Sequence, residues 1–196
     1  DFVKGRVVDV DTEDRVVETD DGTTVDYDYL LLGVGSTTAF FGIEGLKENA
    51  HQLKSLDDAK AIHEDVREAA ADATRSDPAE VIVGGAGLSG IQTAGEIAEY
   101  RDKHRAPLDI KLVEGLDEVF PGNDPQLQGA LRQRLEDADI EILTGDFISE
   151  ADADAVYLGG GEDEEPEEIG YDVLIWTGGI TGQPELENLE VEKDDR

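Results

Sequence analysis

Val81-Ile-Val-Gly-Gly85-Ala-Gly87-Leu-Ser-Gly90-Ile-Gln-Thr-Ala94 is the stretch on which the reading of this chain turns. Three apolar β-branched residues lead into Gly85-x-Gly87-x-x-Gly90. Behind them Ile91, Ala94, Ile97 and Ala98 fall at the spacing of a helix predicted from Leu88 to about Tyr100. A lone G-x-G-x-x-G is a weak signal; one that follows a strand and opens a helix is a specific one. Downstream, Pro107 interrupts the chain, and Asp109-Ile-Lys-Leu-Val-Glu114 reads as a second strand ending in an acid 24 residues past Gly90. Upstream, Arg75-Ser-Asp-Pro78 reads as a linker. The pattern predicts one βαβ unit with a carboxylate at the tip of its second strand.

Each of these residues has a physical task if the ligand is a dinucleotide. Gly85 permits a tight turn, Gly87 lets backbone approach a pyrophosphate, and Gly90 lets helix and strand pack closely. The pyrophosphate would rest on the free N–H groups and the positive dipole end of the helix. Glu114 could accept hydrogen bonds from the adenosine ribose and would repel a 2′-phosphate, and residues 115 to 120 contain no Arg to neutralise one. NAD(H) is therefore expected over NADP(H). Two alternatives share the same residues: a Gly-rich turn that binds no nucleotide, and a pocket for the adenosyl half of FAD.

Composition narrows the partners. Sixteen Lys and Arg against 49 Asp and Glu give a net charge of −33, which would repel nucleic acid. Periodic apolar segments and 22 glycines, many at turn positions, argue for a folded chain rather than a disordered acidic one. High salt shrinks the Debye length to about 3 Å at 1 M and would screen the self-repulsion, so a halophile's protein is expected. With no Cys, this stretch has no thiolate metal site and no redox disulfide. No apolar run approaches a membrane span and no signal peptide is visible, so a cytoplasmic location is expected. The absence of Met and the opening on Asp1-Phe2-Val3 lead to the expectation of a fragment.

Outward from the centre, residues 2 to 35 read as β-structure with turns at Asp11-Thr-Glu-Asp14 and Asp20-Asp21-Gly22. Tyr27-Asp-Tyr-Leu-Leu-Leu-Gly33-Val-Gly35 is predicted to be a buried parallel strand, apolar on both faces. It aligns without a gap to Tyr171-Asp-Val-Leu-Ile-Trp-Thr-Gly178-Gly179, and each follows a polar hairpin, which suggests an internal repeat. Residues 36 to 54 are expected to be loop. Ser55 opens a helix to about Thr74 with Ala59, Ile62, Val66, Ala69 and Ala73 on its buried face. Asp124-Pro125 starts another, with Leu127, Leu131, Leu135 and Ala138 inward. Ile140 to Leu143 is a third strand of the nucleotide unit, and Gly159 to Glu168 a solvated hairpin loop. His51, His63 and His104 have no Ser or Cys partner at motif spacing, so surface roles are expected.

The motifs in order are Tyr27 to Gly35 with Ser36, Phe41-Gly-Ile-Glu-Gly45, Leu53-Lys-Ser-Leu-Asp-Asp-Ala59, Gly84 to Gly90, Val113-Glu114 with Phe120-Pro121, and Trp176-Thr-Gly-Gly179. The set resembles two-dinucleotide flavoproteins, and within them the type II NADH dehydrogenases, single-subunit FAD enzymes that pass electrons from NADH to a quinone. The resemblance implies an α/β fold. A Rossmann-like NAD(H)-binding domain with a parallel sheet and a β-meander, residues 77–180, would interrupt a second, FAD-binding Rossmann-like domain represented by residues 1–76 and 181–196. It also implies that Gly85, Gly87, Leu88, Ser89 and Gly90 hold the pyrophosphate and Glu114 the ribose. Gly178 and Gly179 would lie beside the nicotinamide, and Gly33, Gly35 and Ser36 would touch FAD in the full-length protein.

No catalytic residue is implied, since the protein orients two cofactors and supplies no nucleophile. Gln92 stands where the family usually has Glu, while Glu96 is kept; a Gln can still hydrogen-bond a carboxamide or flavin edge but carries no charge. Absence of Cys disfavours sulfide:quinone reductases. A disulfide or ferredoxin reductase and a non-enzymatic dinucleotide-binding module remain alternatives. The residues present offer FAD only one turn, so NADH binding without FAD is expected of them. A quinone-type acceptor and peripheral attachment to the cytoplasmic membrane face are expected of the full-length protein, and a homodimer is left open.

Overall fold

The computed structural model describes residues 2–161, 165–184 and 189. They fall into two compact units: residues up to 37 together with those from 180 onward, and residues 38–179. Two-residue strands, β4 (Thr37–Thr38) and β13 (Ile180–Thr181), lie at the sequence positions where one unit gives way to the other.

The first unit is built on an antiparallel meander of β1 (Val7–Asp11), β2 (Val16–Thr19) and β3 (Thr24–Asp26). Its turns are those expected. The Asp11 carboxylate accepts from the N–H groups of Glu13 and Asp14, and that of Asp21 from Thr23 N–H and the Thr19 hydroxyl, which is how Asp side chains close tight turns. Tyr27 to Gly35 departs from expectation. It forms no strand, and Tyr29 and Leu31 are 97% and 94% exposed. A buried parallel strand needs a ladder on both edges, and no described strand lies along either edge of this segment.

The second unit is a doubly covered parallel sheet. Its strands are β5 (His51–Gln52), β12 (Val173–Trp176), β6 (Ala79–Gly84), β7 (Leu108–Glu114) and β8 (Ile140–Thr144), hydrogen-bonded in that order. Side chains alternate between the two faces. Val81, Val83, Ile110, Leu112 and Ile175 point to one core, Ile82, Val113, Leu174 and Trp176 to the other. Burying each such residue contributes about 1.5–3 kcal/mol.

Three helices cover the first face. α2 (Leu56–Asp72) buries Ile62 and Val66, and α3 (Leu88–His104) buries Ile91, Ala94, Ile97 and Ala98. α4 (Pro125–Glu136) buries Leu135 and leaves Leu127 45% exposed, so its inward stripe is narrower than its sequence suggests. The other face carries a second antiparallel meander, β9 (Ile148–Ala151), β10 (Ala155–Leu158) and β11 (Glu167–Gly170). Glu167 and Glu168 are thus strand rather than loop, and residues 162–164 of the expected hairpin loop lie outside the described residues. Within 36–54, expected to be all loop, fully buried Leu46 anchors a short helix α1 (Leu46–Asn49), and β5 pairs with β12. α2 packs on this unit's sheet, so residues 38–76 share a compact unit with the Gly-rich turn at 84–90.

Candidate dinucleotide site

β6 and β7 end side by side, with Gly84 paired to Val113, so the Gly-rich turn and Glu114 emerge together at the carboxyl edge of the sheet, where these two interior strands end. Gly85 turns the chain at φ +93°, a conformation L side chains rarely adopt, and a Cβ there would stand 2.4 Å from Gly178 Cα. A Cβ on Gly90 would stand 1.8 Å from Gly85 O, so α3 can abut the turn only through glycine. At Gly87 a Cβ would meet nothing within 4 Å, which leaves the backbone open to a ligand.

The three long helices begin differently. Ser55 and Asp58 close a capping box on α2, and Asp124 accepts from the N–H groups of Gln126 and Leu127 at the start of α4. α3 opens on Gly87 with no side-chain cap and no acid in its first turn. An N-terminus left without its own cap presents free N–H donors and the positive end of the dipole to an anion.

Beside it, Glu114 Oε2 accepts from Ala86 N–H at 2.8 Å and Oε1 from Leu116 N–H at 3.1 Å. Each carboxylate oxygen keeps a further lone pair for a ligand hydroxyl. Glu114 lines a cavity of about 380 Å³ with Gly85, Gly178, Phe41, Phe147 and Trp176. The Phe147 ring, 64% exposed, covers Gly115, where a Cβ would come within 2.1 Å of it. Arg132 of α4 reaches the loop after Glu114, but Glu118 engages it at 2.7 Å and is held below the usual carboxylate range by that bond and by Val119 N–H. No free cation is thereby brought to Glu114 from this loop among the described residues.

A family profile described as pyridine nucleotide-disulphide oxidoreductase matches residues 1–196. The chain belongs to that family. Among its relatives, the type II NADH:quinone oxidoreductase of Staphylococcus saprophyticus is 27% identical over 198 residues, covering 95% of this chain and 48% of that protein. A probable NADH dehydrogenase of Dictyostelium discoideum is 30% identical over 186 residues, covering 86% and 40%. The structure of NDH2 from Plasmodium falciparum in complex with NADH superposes with a TM-score of 0.79 at 21% identity, covering 92% of this chain and 41% of that one, a likeness of fold. The chain spans less than half the length of each of these relatives.

Measured against this oxidoreductase fold, the expected site residues divide into groups. Gly85, Gly87, Gly90, Glu114 and Gly178 gather at the sheet edge, and Leu88 and Ser89 form the exposed first turn of α3. Gly179 sits against Phe41, whose ring a Cβ there would approach to 2.4 Å. Gln92 is exposed and lines a separate groove between α2 and α3 with Ser89, Thr93 and Glu96. Gly33, Gly35 and Ser36 belong to the first unit, where Gln183 Nε2 donates to Val34 O at 3.2 Å.

Sequence reasoning quoted Phe41 and Thr177 within motifs without giving either a role in the site, and missed Phe147. Phe41 and Phe147 stand in loops with no periodic pattern to flag them. Thr177 could have been noticed as the hydroxyl next to Gly178-Gly179.

Proposed function

We propose that residues 77–180 bind NADH, and that the chain is the NAD(H)-binding portion of a flavin-dependent NADH dehydrogenase that passes hydride to FAD and electrons on to a quinone-type acceptor. The observation that carries this reading is the uncapped N-terminus of α3 behind Gly85-x-Gly87, set beside the Glu114 carboxylate at the carboxyl edge of the sheet. The N–H groups of Gly87, Leu88 and Ser89 would hold the pyrophosphate. Glu114 would accept from the ribose hydroxyls, and Gly178 and Gly179 would border the nicotinamide. Gln92, one turn into α3, is the proposed uncharged hydrogen-bonding group for the carboxamide or flavin edge, although the groove it lines is not the cavity lined by Glu114. The activities of the relatives, NADH:quinone oxidoreductase and NADH dehydrogenase, support the assignment of donor and acceptor.

Residues 1–76 and 181–196 are assigned to an FAD-binding domain and 77–180 to the NAD(H)-binding domain. Gly33, Gly35 and Ser36 fit one side of a flavin site: Gly35 has φ +69°, and a Cβ at Gly33 or Gly35 would meet nothing within 4 Å, so backbone is open to a ligand there. Bound FAD would supply the hydride acceptor. One turn supplies a few hydrogen bonds of about 1 kcal/mol each, against an association cost of at least about 4 kcal/mol, so residues 1–196 alone hold NADH and not FAD.

The single Trp of the chain, Trp176, lines the cavity and reports occupancy. Titration at molar salt should show energy transfer from Trp176 to bound NADH and at least about tenfold weaker binding of NADPH; no transfer, or equal affinities, would contradict the reading. The charge of −33 supports adaptation to high salt. The melting temperature should therefore fall as salt drops toward ~0.1 M, where the Debye length is about 10 Å, and a constant melting temperature would count against it.

A further inference from the structure

The peptide between Gly85 and Ala86 is held at both ends by residues from distant parts of the chain. Its carbonyl accepts from Thr177 Oγ1 at 3.0 Å, and its N–H donates to Glu114 Oε2 at 2.8 Å. Thr177 is itself fixed to the same turn: its N–H donates to Gly84 O at 2.8 Å, and its hydroxyl lies 2.9 Å from that oxygen as well. The hydroxyl has one proton to share between the two carbonyls. Just beyond, Ala86 O accepts from Phe120 N–H at 2.8 Å. Gly85 has no side chain to restrict rotation, and on its other side its N–H donates to Val113 O at 2.7 Å, so the orientation of this peptide is set by its bonds to neighbouring segments.

We propose that Thr177 and Glu114 form a clamp that orients the Gly85–Ala86 peptide, and with it the start of α3, before a dinucleotide binds. Thr177 is then a positioning residue for the phosphates. It does not line the cavity, and the groups it holds are carbonyls rather than ligand atoms. Glu114 has a second task besides the ribose, since the oxygen that holds Ala86 N–H belongs to the carboxylate that faces the cavity. Without the clamp the turn would have to be ordered when the ligand arrives, and that ordering would be subtracted from affinity. The proposal rests on the dinucleotide reading of this site and assigns it a device that forms in the ligand-free chain.

The two arms predict different losses. Replacing Thr177 removes a hold on the phosphate turn and leaves the ribose acceptor in place. In the 196-residue chain at molar salt, Thr177→Val should weaken ADP-ribose about five- to tenfold, the scale of one hydrogen bond, measured by displacement of NADH fluorescence. Adenosine, which lacks the phosphates, should change by less than about twofold on the same scale. Thr177→Ser keeps the hydroxyl and should restore ADP-ribose binding, while Thr177→Ala serves in place of Val should that variant fail to fold. Exchange of the Ala86 amide in the ligand-free chain should speed up in Thr177→Val and return to the wild-type rate in Thr177→Ser.

Equal losses for ADP-ribose and adenosine, ADP-ribose affinity within about twofold of wild type, or no recovery in Thr177→Ser would overturn the clamp. A wild-type chain that binds neither ADP-ribose nor NADH would instead sink the dinucleotide reading, and the clamp's purpose with it.

Discussion

Residues 27–35 and 171–179 align without a gap, with Tyr, Asp, Leu and Gly shared at 27/171, 28/172, 30/174 and 35/179, and the likeness extends into the structure ahead of them. Each follows a three-stranded antiparallel meander, β1 to β3 in one case and β9 to β11 in the other. Each opens with a Tyr whose hydroxyl donates back to the carbonyl of an Asp at the first turn of that meander, Tyr27 to Asp11 and Tyr171 to Asp152. The backbone N–H of each Tyr also returns to that turn, to Arg15 O and Asp154 O. Beyond the Tyr they part. Val173 to Trp176 becomes a fully buried strand between β5 and β6, whereas Tyr29 to Val34 stays exposed and unpaired in any ladder. The pattern of side chains sets the meander and its tie. Burial of an all-apolar strand is decided by its neighbours, because both ladder edges and both faces must be filled from elsewhere.

The largest test of that contrast is a charge placed at matched positions. Ile175→Asp introduces a carboxylate at a site 0% exposed and should destabilise by at least about 3 kcal/mol in denaturant unfolding, if the chain folds at all. Leu31→Asp, at 94% exposure, should change stability by no more than about 0.5 kcal/mol. Equal effects would break the comparison.

A smaller effect separates the two meanders. The second turn is held by Asp152, which accepts from the N–H groups of Asp154 and Ala155 and from the Tyr157 hydroxyl, and these bonds keep its carboxyl below the usual range. The same bond pushes Tyr157 up to about 12. A raised phenol stabilises the fold below its ordinary value of about 10 and ceases to do so as pH rises through its folded value. The depressed Asp152 works the other way, stabilising above about pH 4 and losing that contribution as pH falls through its folded value. Absorbance titration at 295 nm should show one phenol near 12 that vanishes in Tyr157→Phe and returns toward about 10 in Asp152→Asn. A titration unchanged by either substitution would remove the tie.

The same division runs through the site. The turn, the helix behind it and Glu114 were legible because they lie in one continuous βαβ unit whose spacing is set by backbone geometry. Ser55 and Asp124 were legible as helix starts, since a cap acts within its own first turn. Thr177 and Phe147 were not, because each acquires its role by meeting a backbone segment far away in sequence: Thr177 at Gly84 and Gly85, Phe147 at Gly115. The same holds for Arg132, whose approach to Glu118 depends on where α4 packs. The misread strand at 27–35 is the mirror case: a correct local propensity without the tertiary partners that would realise it.

The most direct test of the account is the affinity of the chain for NADH before and after Glu114→Ala, measured by calorimetry at high salt. Removing a carboxylate that accepts ribose hydroxyls and steadies the phosphate turn should weaken NADH by about 1.5–3 kcal/mol and narrow the gap to NADPH. Equal NADH affinity in the two proteins would take Glu114 out of the ribose site and contradict the assignment of the sheet edge to a dinucleotide.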